Sequence, residues 1–311
     1  MKSGSNLEKV LEAGHFAVTA ELGPPMGSDA EAVRKKIELL RDTADAFNVT
    51  DCQTAVVRMS SIATSIFLVQ AGMEPVMQMT CRDRNRIAMQ SDILGAAAHG
   101  VKNCLCIAGD HQSFGAAGKL KGHPGAKNVY DVDSIQLVGI LKGLRDEACQ
   151  QGGDPLDRGV PLFIGAAWTP LGDPIEIRTI RLAKKVGAGA DFIQTQAVFD
   201  IERFSEAMKN ARDRGLHERA AILAGIIVPK SAGMLAYMSR SVPGVIVPQQ
   251  LIDRMKAASD PRSEGVAIAI ELVRQARETE GVRGVHIQAI EWESAVREVV
   301  GGAGLLPRPK M

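Results

Sequence analysis

The sequence predicts an α/β fold, a single-domain (β/α)8 TIM barrel, on three observations. Eight short apolar runs recur along 311 residues, amphipathic helical stretches alternate with them, and no Gly-x-Gly-x-x-Gly spacing follows the first run. The runs are FAVTAE (16–21), AFNVT (46–50), PVMQMT (75–80), CLCIAGD (104–110), PLFIGAA (161–167), FIQTQ (192–196), AILAGI (221–226) and GVHIQA (284–289). Most are nearly continuous in apolar residues, as parallel strands covered on both faces are. The competing fold is an open doubly wound sheet, which more often carries a glycine fingerprint where this chain has AELGPPMG.

The helical stretches have their own signals. Residues 29–44 carry Val33, Ile37 and Leu40 on one stripe, with Asp29 placed to cap. Residues 83–100 end in a glycine stop. Residues 131–148 open with Asp131 and Asp133, and residues 173–190 open with Asp-Pro and stop at glycine. Residues 201–215 follow the sixth run. A helical insertion at about 231–280 precedes the eighth, and the tail GGAGLLPRPK reads as a terminus on the surface.

Composition narrows the function classes. The chain has 37 basic and 36 acidic residues with no block of like charge, which argues against a nucleic-acid or polybasic membrane surface. The first residues lack the apolar core of a signal peptide, and no stretch approaches the ~18 apolar residues of a membrane helix. A cytoplasmic location is the expectation, and a homo-oligomer stays open. The cysteine count of 5 is odd and contains no Cys-x-x-Cys, so a disulfide framework or a metal cluster built by this chain is not expected. Cys104 and Cys106 read as small core residues.

In such a barrel the chemistry gathers at the C-terminal ends of the strands. There the sequence places Glu21, Thr50 with Asp51, Gln78 with Thr80, Asp110, Ala167 with Trp168, Gln194 to Gln196, Gly225, and His286 with Gln288 and Glu291. Two acids, Glu21 and Asp110, thus converge among neutral amides and hydroxyls. No strand ends in lysine, no trio of His and carboxylate ligands stands out, and no Gly-x-Ser-x-Gly appears. Neutral hydrogen-bonding groups with few charges suit a flat heterocycle such as a flavin or a pterin. Each residue also has a structural reading: Glu21 as partner of an arginine, Asp110 as a cap, Gln196 as a bridge between strands, Trp168 as loop packing.

The stretches AELGPP, NVT, IAGD and KKVGAGADFIQTQAVFD, in that order and at strand ends, carry a resemblance over about residues 16–306. The chain resembles the 5,10-methylenetetrahydrofolate reductases, flavin-dependent (β/α)8 barrels. The resemblance implies reduction of methylenetetrahydrofolate to 5-methyltetrahydrofolate by hydride from reduced flavin. It implies Glu21 as the general acid, Asp110 beside flavin and pterin, and Gln196 and Thr50 in substrate and flavin contacts. Trp168 stands where the family often has a tyrosine against the flavin, with Ala167 beside it. Lys185 and Ala190 match positions near the ribityl-phosphate end. The chain departs from the pattern at Gln78, where the family has a histidine, at Ala108 for an arginine, at Arg178 for an acid, and at Gly233 or Met234 for a stacking phenylalanine. The departures leave the flavin open between FMN and FAD, and the electron donor is NAD(P)H or a partner protein. Residues 109–134 and VHIQAIEWE look like the branch from anaerobic one-carbon metabolism, whose members can work with an iron–sulfur partner subunit. The rival readings are a flavin-bearing subunit of a larger electron-transfer complex and a pterin-binding methyltransferase barrel.

A useful acid lies near pH 6–7 while glutamic acid lies near ~4.3, so the resemblance also requires that the site lift Glu21 by about 2 units. Burial, with Asp110 as the neighbouring charge, is the expected means.

Overall fold

Strand β1 (Ala17–Leu22) is buried at all six positions, and its side chains divide by parity between two cores. Val18, Ala20 and Leu22 pack outward against helices, whereas Ala17 joins a smaller cluster inside the ring of strands. The same division repeats around the structure, a computed structural model that describes residues 1–113 and 122–311. The other strands are β2 (Ala46–Val49), β3 (Pro75–Thr80), β4 (Asn103–Ile107), β5 (Phe163–Trp168), β6 (Phe192–Ala197), β7 (Ala221–Ile227) and β8 (Val282–Gln288). All pair in parallel with their neighbours in chain order, and β8 pairs with β1, which closes an eight-stranded barrel. Every predicted run therefore forms a strand. The fourth stops at Ile107, so Asp110 stands on the exit loop three residues beyond it.

The helical expectations also hold. Helices α2 (Ala30–Leu40), α4 (Arg86–Ala98), α5 (Ser134–Lys142), α6 (Ile175–Ala188) and α7 (Ile201–Arg212) occupy the predicted stretches. Asp29 caps α2 through its side chain, and Asp133 caps α5 in a reciprocal capping box with Gln136. Gly189 ends α6 at φ 119°, where a side chain on an L-residue is strained. The short α8 (Leu216–Arg219) leads into β7, and α9 (Ala232–Ser241), α10 (Gln249–Ala257) and α11 (Pro261–Glu278) fill the connection from β7 to β8.

Some helices carry no mark in the sequence reading, and two of them matter for the barrel. α1 (Asn6–Glu12) closes the N-terminal end of the barrel, where Leu7, Val10 and Leu11 join Val76, Phe163 and Phe192 in the inner cluster. α3 (Ser61–Gln70) has weak sidedness because Ser61, Thr64 and Ser65 are buried along with Leu68. The C-terminal tail lies on the surface as expected, with only Ala303 and Leu305 buried, but after α12 (Ala295–Gly302) it is held against the barrel base. Arg308 pairs there with the buried Asp45 at 2.6 Å and donates to the Phe16 carbonyl at 2.8 Å. Part of the sequence stretch assigned to the anaerobic branch, residues 114–121, lies outside the described residues. All five cysteines are unpaired, and Cys81, Cys104 and Cys106 are buried, as expected of small core residues.

Candidate functional site at the barrel mouth

Strand parity decides which side chains enter the barrel. Thr19, Asn48, Gln194 and His286 point inward at mid-height and bond to one another. Gln194 Nε2 donates to Thr19 Oγ1 and to Asn48 Oδ1, both at 3.0 Å, and Thr19 Oγ1 lies 3.0 Å from His286 Nδ1. Burial pushes His286 down to about 3, opposed by a hydrogen bond with the Thr19 backbone, so the imidazole is neutral. This polar layer floors the mouth.

Glu21 stands one inward position above Thr19. It is 8% exposed, and among the described residues nothing hydrogen-bonds its carboxyl. Burial raises its pKa to about 7; the charge of Glu293 adds to the rise, while Lys36 and Arg58 oppose it. The lift expected of a general acid is thus present, but one cause is corrected. The acid whose field reaches Glu21 is Glu293, on the loop after β8, rather than Asp110. Glu293 was missed because two acids flank Trp292: Glu291, noted in the sequence, is exposed, while Glu293 is buried against Lys36.

Asp110 sits on the rim. The residue is open to water, yet protein atoms around its carboxyl raise its pKa by desolvation, against Arg82 and the Thr54 N–H. Arg82, itself 3% exposed, binds the Asp110 carbonyl and the Cys52 carbonyl, both at 3.1 Å, and so ties the exits of β2, β3 and β4. The β2 exit is strained, with Cys52, Thr54 and Ala55 all at positive φ. Thr50, just before it, is 2% exposed and its Oγ1 has no hydrogen-bond partner among the described residues. Asp51 is fully engaged by Thr80 and Arg84, which reads as structural anchoring.

Gln78 and Gln196 share the inward parity of Val76 and Phe192, and Gln196 Oε1 accepts from the Ala197 N–H. Ala167 has the inward parity of Phe163, and its carbonyl accepts from Lys185 Nζ. Burial and Arg181 lower Lys185 to about 8, opposed by Cys106 and Asp133. Two expectations fail on geometry. The Trp168 indole belongs to the outer core and donates to the Arg178 carbonyl at 3.1 Å, so it does not face the mouth. Ala190 lies in the turn entering β6, at the N-terminal face, a six-residue strand of about 20 Å from the mouth. A cleft of about 670 Å³ between α7 and α11, and one of about 500 Å³ at the N-terminal face, are both remote from the strand C-termini.

The family model described as methylenetetrahydrofolate reductase matches residues 6–304. The chain belongs to that family. A probable methylenetetrahydrofolate reductase (NADPH) of Caenorhabditis elegans is 23% identical over 80% of this chain and 35% of its own length. Methylenetetrahydrofolate reductase 1 of Schizosaccharomyces pombe is 26% identical over 74% of this chain and 36% of its own. The chain thus spans about a third of the length of these curated relatives. A solved protein of Clostridium thermocellum, described as binding two copies of 5-methyl-5,6,7,8-tetrahydrofolic acid, superposes with a TM-score of 0.64. It is 14% identical over 97% of this chain and 99% of that one, a likeness of fold. Methylenetetrahydrofolate reductases are in general flavin-dependent, with NAD(P)H as electron donor. At the edge of the mouth the buried Thr50 hydroxyl has no hydrogen-bond partner among the described residues, a group able to take a hydrogen bond from such a heterocycle.

Proposed function

We propose that this chain reduces 5,10-methylenetetrahydrofolate to 5-methyltetrahydrofolate on a bound flavin, with Glu21 as general acid. The reading is carried by the Glu21 carboxyl, buried at the mouth and without a hydrogen bond from any described residue, with a pKa of about 7. Reduced flavin, when bound, supplies the hydride. Glu21 holds a proton that water at neutral pH supplies poorly and gives it to the leaving ring nitrogen of the folate. The five-membered ring then opens and the one-carbon unit becomes electrophilic. A carboxyl with this affinity is about half protonated at pH 7, and a placed acid of this kind typically contributes ~10²–10⁴-fold.

The other residues bind and orient. Asp110 presents a carboxyl to the edges of the two heterocycles, Gln196 an amide to the folate, and Thr50 and Gln78 neutral groups to the flavin. Ala167 lines the mouth, and Lys185 fixes its carbonyl. The flavin is FMN or FAD, with Gln78 and Ala108 standing where the family has a basic pair. The electron donor is NAD(P)H or an iron–sulfur partner subunit, and the setting is the cytoplasm.

The test begins with the absorption spectrum of the purified chain and the mass of its released cofactor. A colourless protein that binds folate would instead favour a methyltransferase barrel. With flavin present, reduction and reoxidation by methylenetetrahydrofolate are followed separately by stopped flow. Glu21→Gln is expected to keep flavin and its reduction but to slow reoxidation by folate at least ~10²-fold. Folate reduction at the parent rate in that variant sinks the assignment.

A further inference from the structure

The mouth holds an ion pair that the proposed reaction leaves without a task. Lys36, on α2, places Nζ 2.5 Å from Glu293 Oε1 and 3.0 Å from the Gly23 carbonyl. Gly23 follows Glu21 by two residues, so one ammonium joins the exit of β1 to the exit of β8. The pair is withdrawn from water, its side chains 25% and 10% exposed. The β8 exit is itself anchored. The Trp292 N–H donates to Ala289 at 2.9 Å, the Val296 N–H donates to Glu293 at 3.2 Å, and Arg262 lies over the Trp292 ring at 5.5 Å. Arg58, the remaining charge facing Glu21, is held by the Pro24 carbonyl at 3.1 Å.

Burying an ion pair costs desolvation that its attraction only partly offsets, and apolar residues of the same shape would pack as well. This pair instead reaches the Gly23 carbonyl, two residues along the chain from the buried Glu21 carboxyl, which no described residue hydrogen-bonds. A negative charge close to Glu21 in a drier medium opposes its ionisation, and a positive charge favours it. We propose that Glu293 is a positioning residue of the reaction: held by Lys36, its charge keeps a proton on Glu21, with Lys36 and Arg58 as counterweights. The inference rests on the reading of Glu21 as the acid.

The two members of the pair should therefore act with opposite signs. The full chain, labelled with ¹³C-carboxyl glutamate, is titrated by NMR without folate, and the Glu21 signal is assigned by its loss in Glu21→Gln. Glu293→Gln is expected to lower the Glu21 midpoint by about one pH unit, and Lys36→Met to raise it by a similar amount. Glu293→Asp, which keeps the charge, should stay near the parent. Midpoints that do not move, or that move the same way in Glu293→Gln and Lys36→Met, overturn the inference, because a loosened loop shifts both alike. A Glu293→Asp midpoint displaced as far as that of Glu293→Gln overturns it too. Should Glu293→Gln fail to fold, Lys36→Met and Glu293→Asp still decide. The titration needs no turnover, so its failure leaves the proposed reaction standing. A parent chain that binds no flavin and reduces no folate removes that reaction whatever the titration gives.

Discussion

Asn48 and Gln194 exchange two hydrogen bonds through the barrel interior, from β2 to β6. Asn48 Nδ2 donates to Gln194 Oε1 at 2.6 Å, and Gln194 Nε2 donates to Asn48 Oδ1 at 3.0 Å. Gln194 also serves Thr19, so one amide satisfies two other strands. Replacing it leaves buried donors and acceptors without partners, and unsatisfied buried groups cost about 1–3 kcal/mol each. Gln194→Leu is expected to lower unfolding stability by about 2–4 kcal/mol in denaturant titrations. The double variant Asn48→Leu/Gln194→Leu should recover part of that loss, because it removes an orphan rather than creating one.

The raised pKa of Glu21 makes stability depend on pH with a definite sign. The folded value of about 7 exceeds the ordinary 4.5, so the folded state binds the proton more tightly. The resulting stabilisation is complete below pH 4.5 and is lost as pH rises through 7. Glu21→Gln, which never ionises, is therefore expected to match the parent near pH 4.5. By pH 8 it should exceed the parent by up to about 3 kcal/mol. Parallel unfolding curves across that range measure the difference, and a constant offset would contradict it.

Thr50 separates folding from ligand binding. Its buried hydroxyl has no partner among the described residues, so Thr50→Val should leave the stability of the ligand-free chain unchanged or higher by up to about 1 kcal/mol. The same change should weaken flavin retention about tenfold, the equivalent of one lost hydrogen bond. Fluorescence titration of flavin into the stripped protein, beside a thermal melt of the same sample, reads both quantities.

Arg308 is the opposite case, a residue far from the mouth that matters for the fold. The Asp45 side chain is fully buried and also accepts from the Val18 N–H at 2.7 Å. Arg308→Ala leaves that carboxylate without its cation, and breaking a buried pair on one side costs about 3–5 kcal/mol. A clear fall in denaturation midpoint is expected. Because the site lies at the opposite end of the barrel, folate turnover per folded molecule should be unchanged.

The sequence by itself determined the eight strands, their order and most of the helices between them. Buried parallel strands must be apolar on both faces, and helix caps and glycine stops are local, so FAVTAE or DVDSIQ can be read without knowing what lies nearby. It also determined that Glu21 lies near the end of a buried strand and needs either a partner or a use. The tertiary structure alone decided what surrounds Glu21. Its charged neighbours Lys36, Arg58 and Glu293 come from three separate connections, and a field is a sum over space rather than along the chain. The same holds for Trp168 and Ala190. A one-residue step in parity turns the indole away from the mouth, and the turn entering β6 leaves Ala190 at the far end of the barrel. Helix α1, too, took its role from the barrel it closes, because seven residues do not hold a helix in water until an apolar surface receives Leu7, Val10 and Leu11.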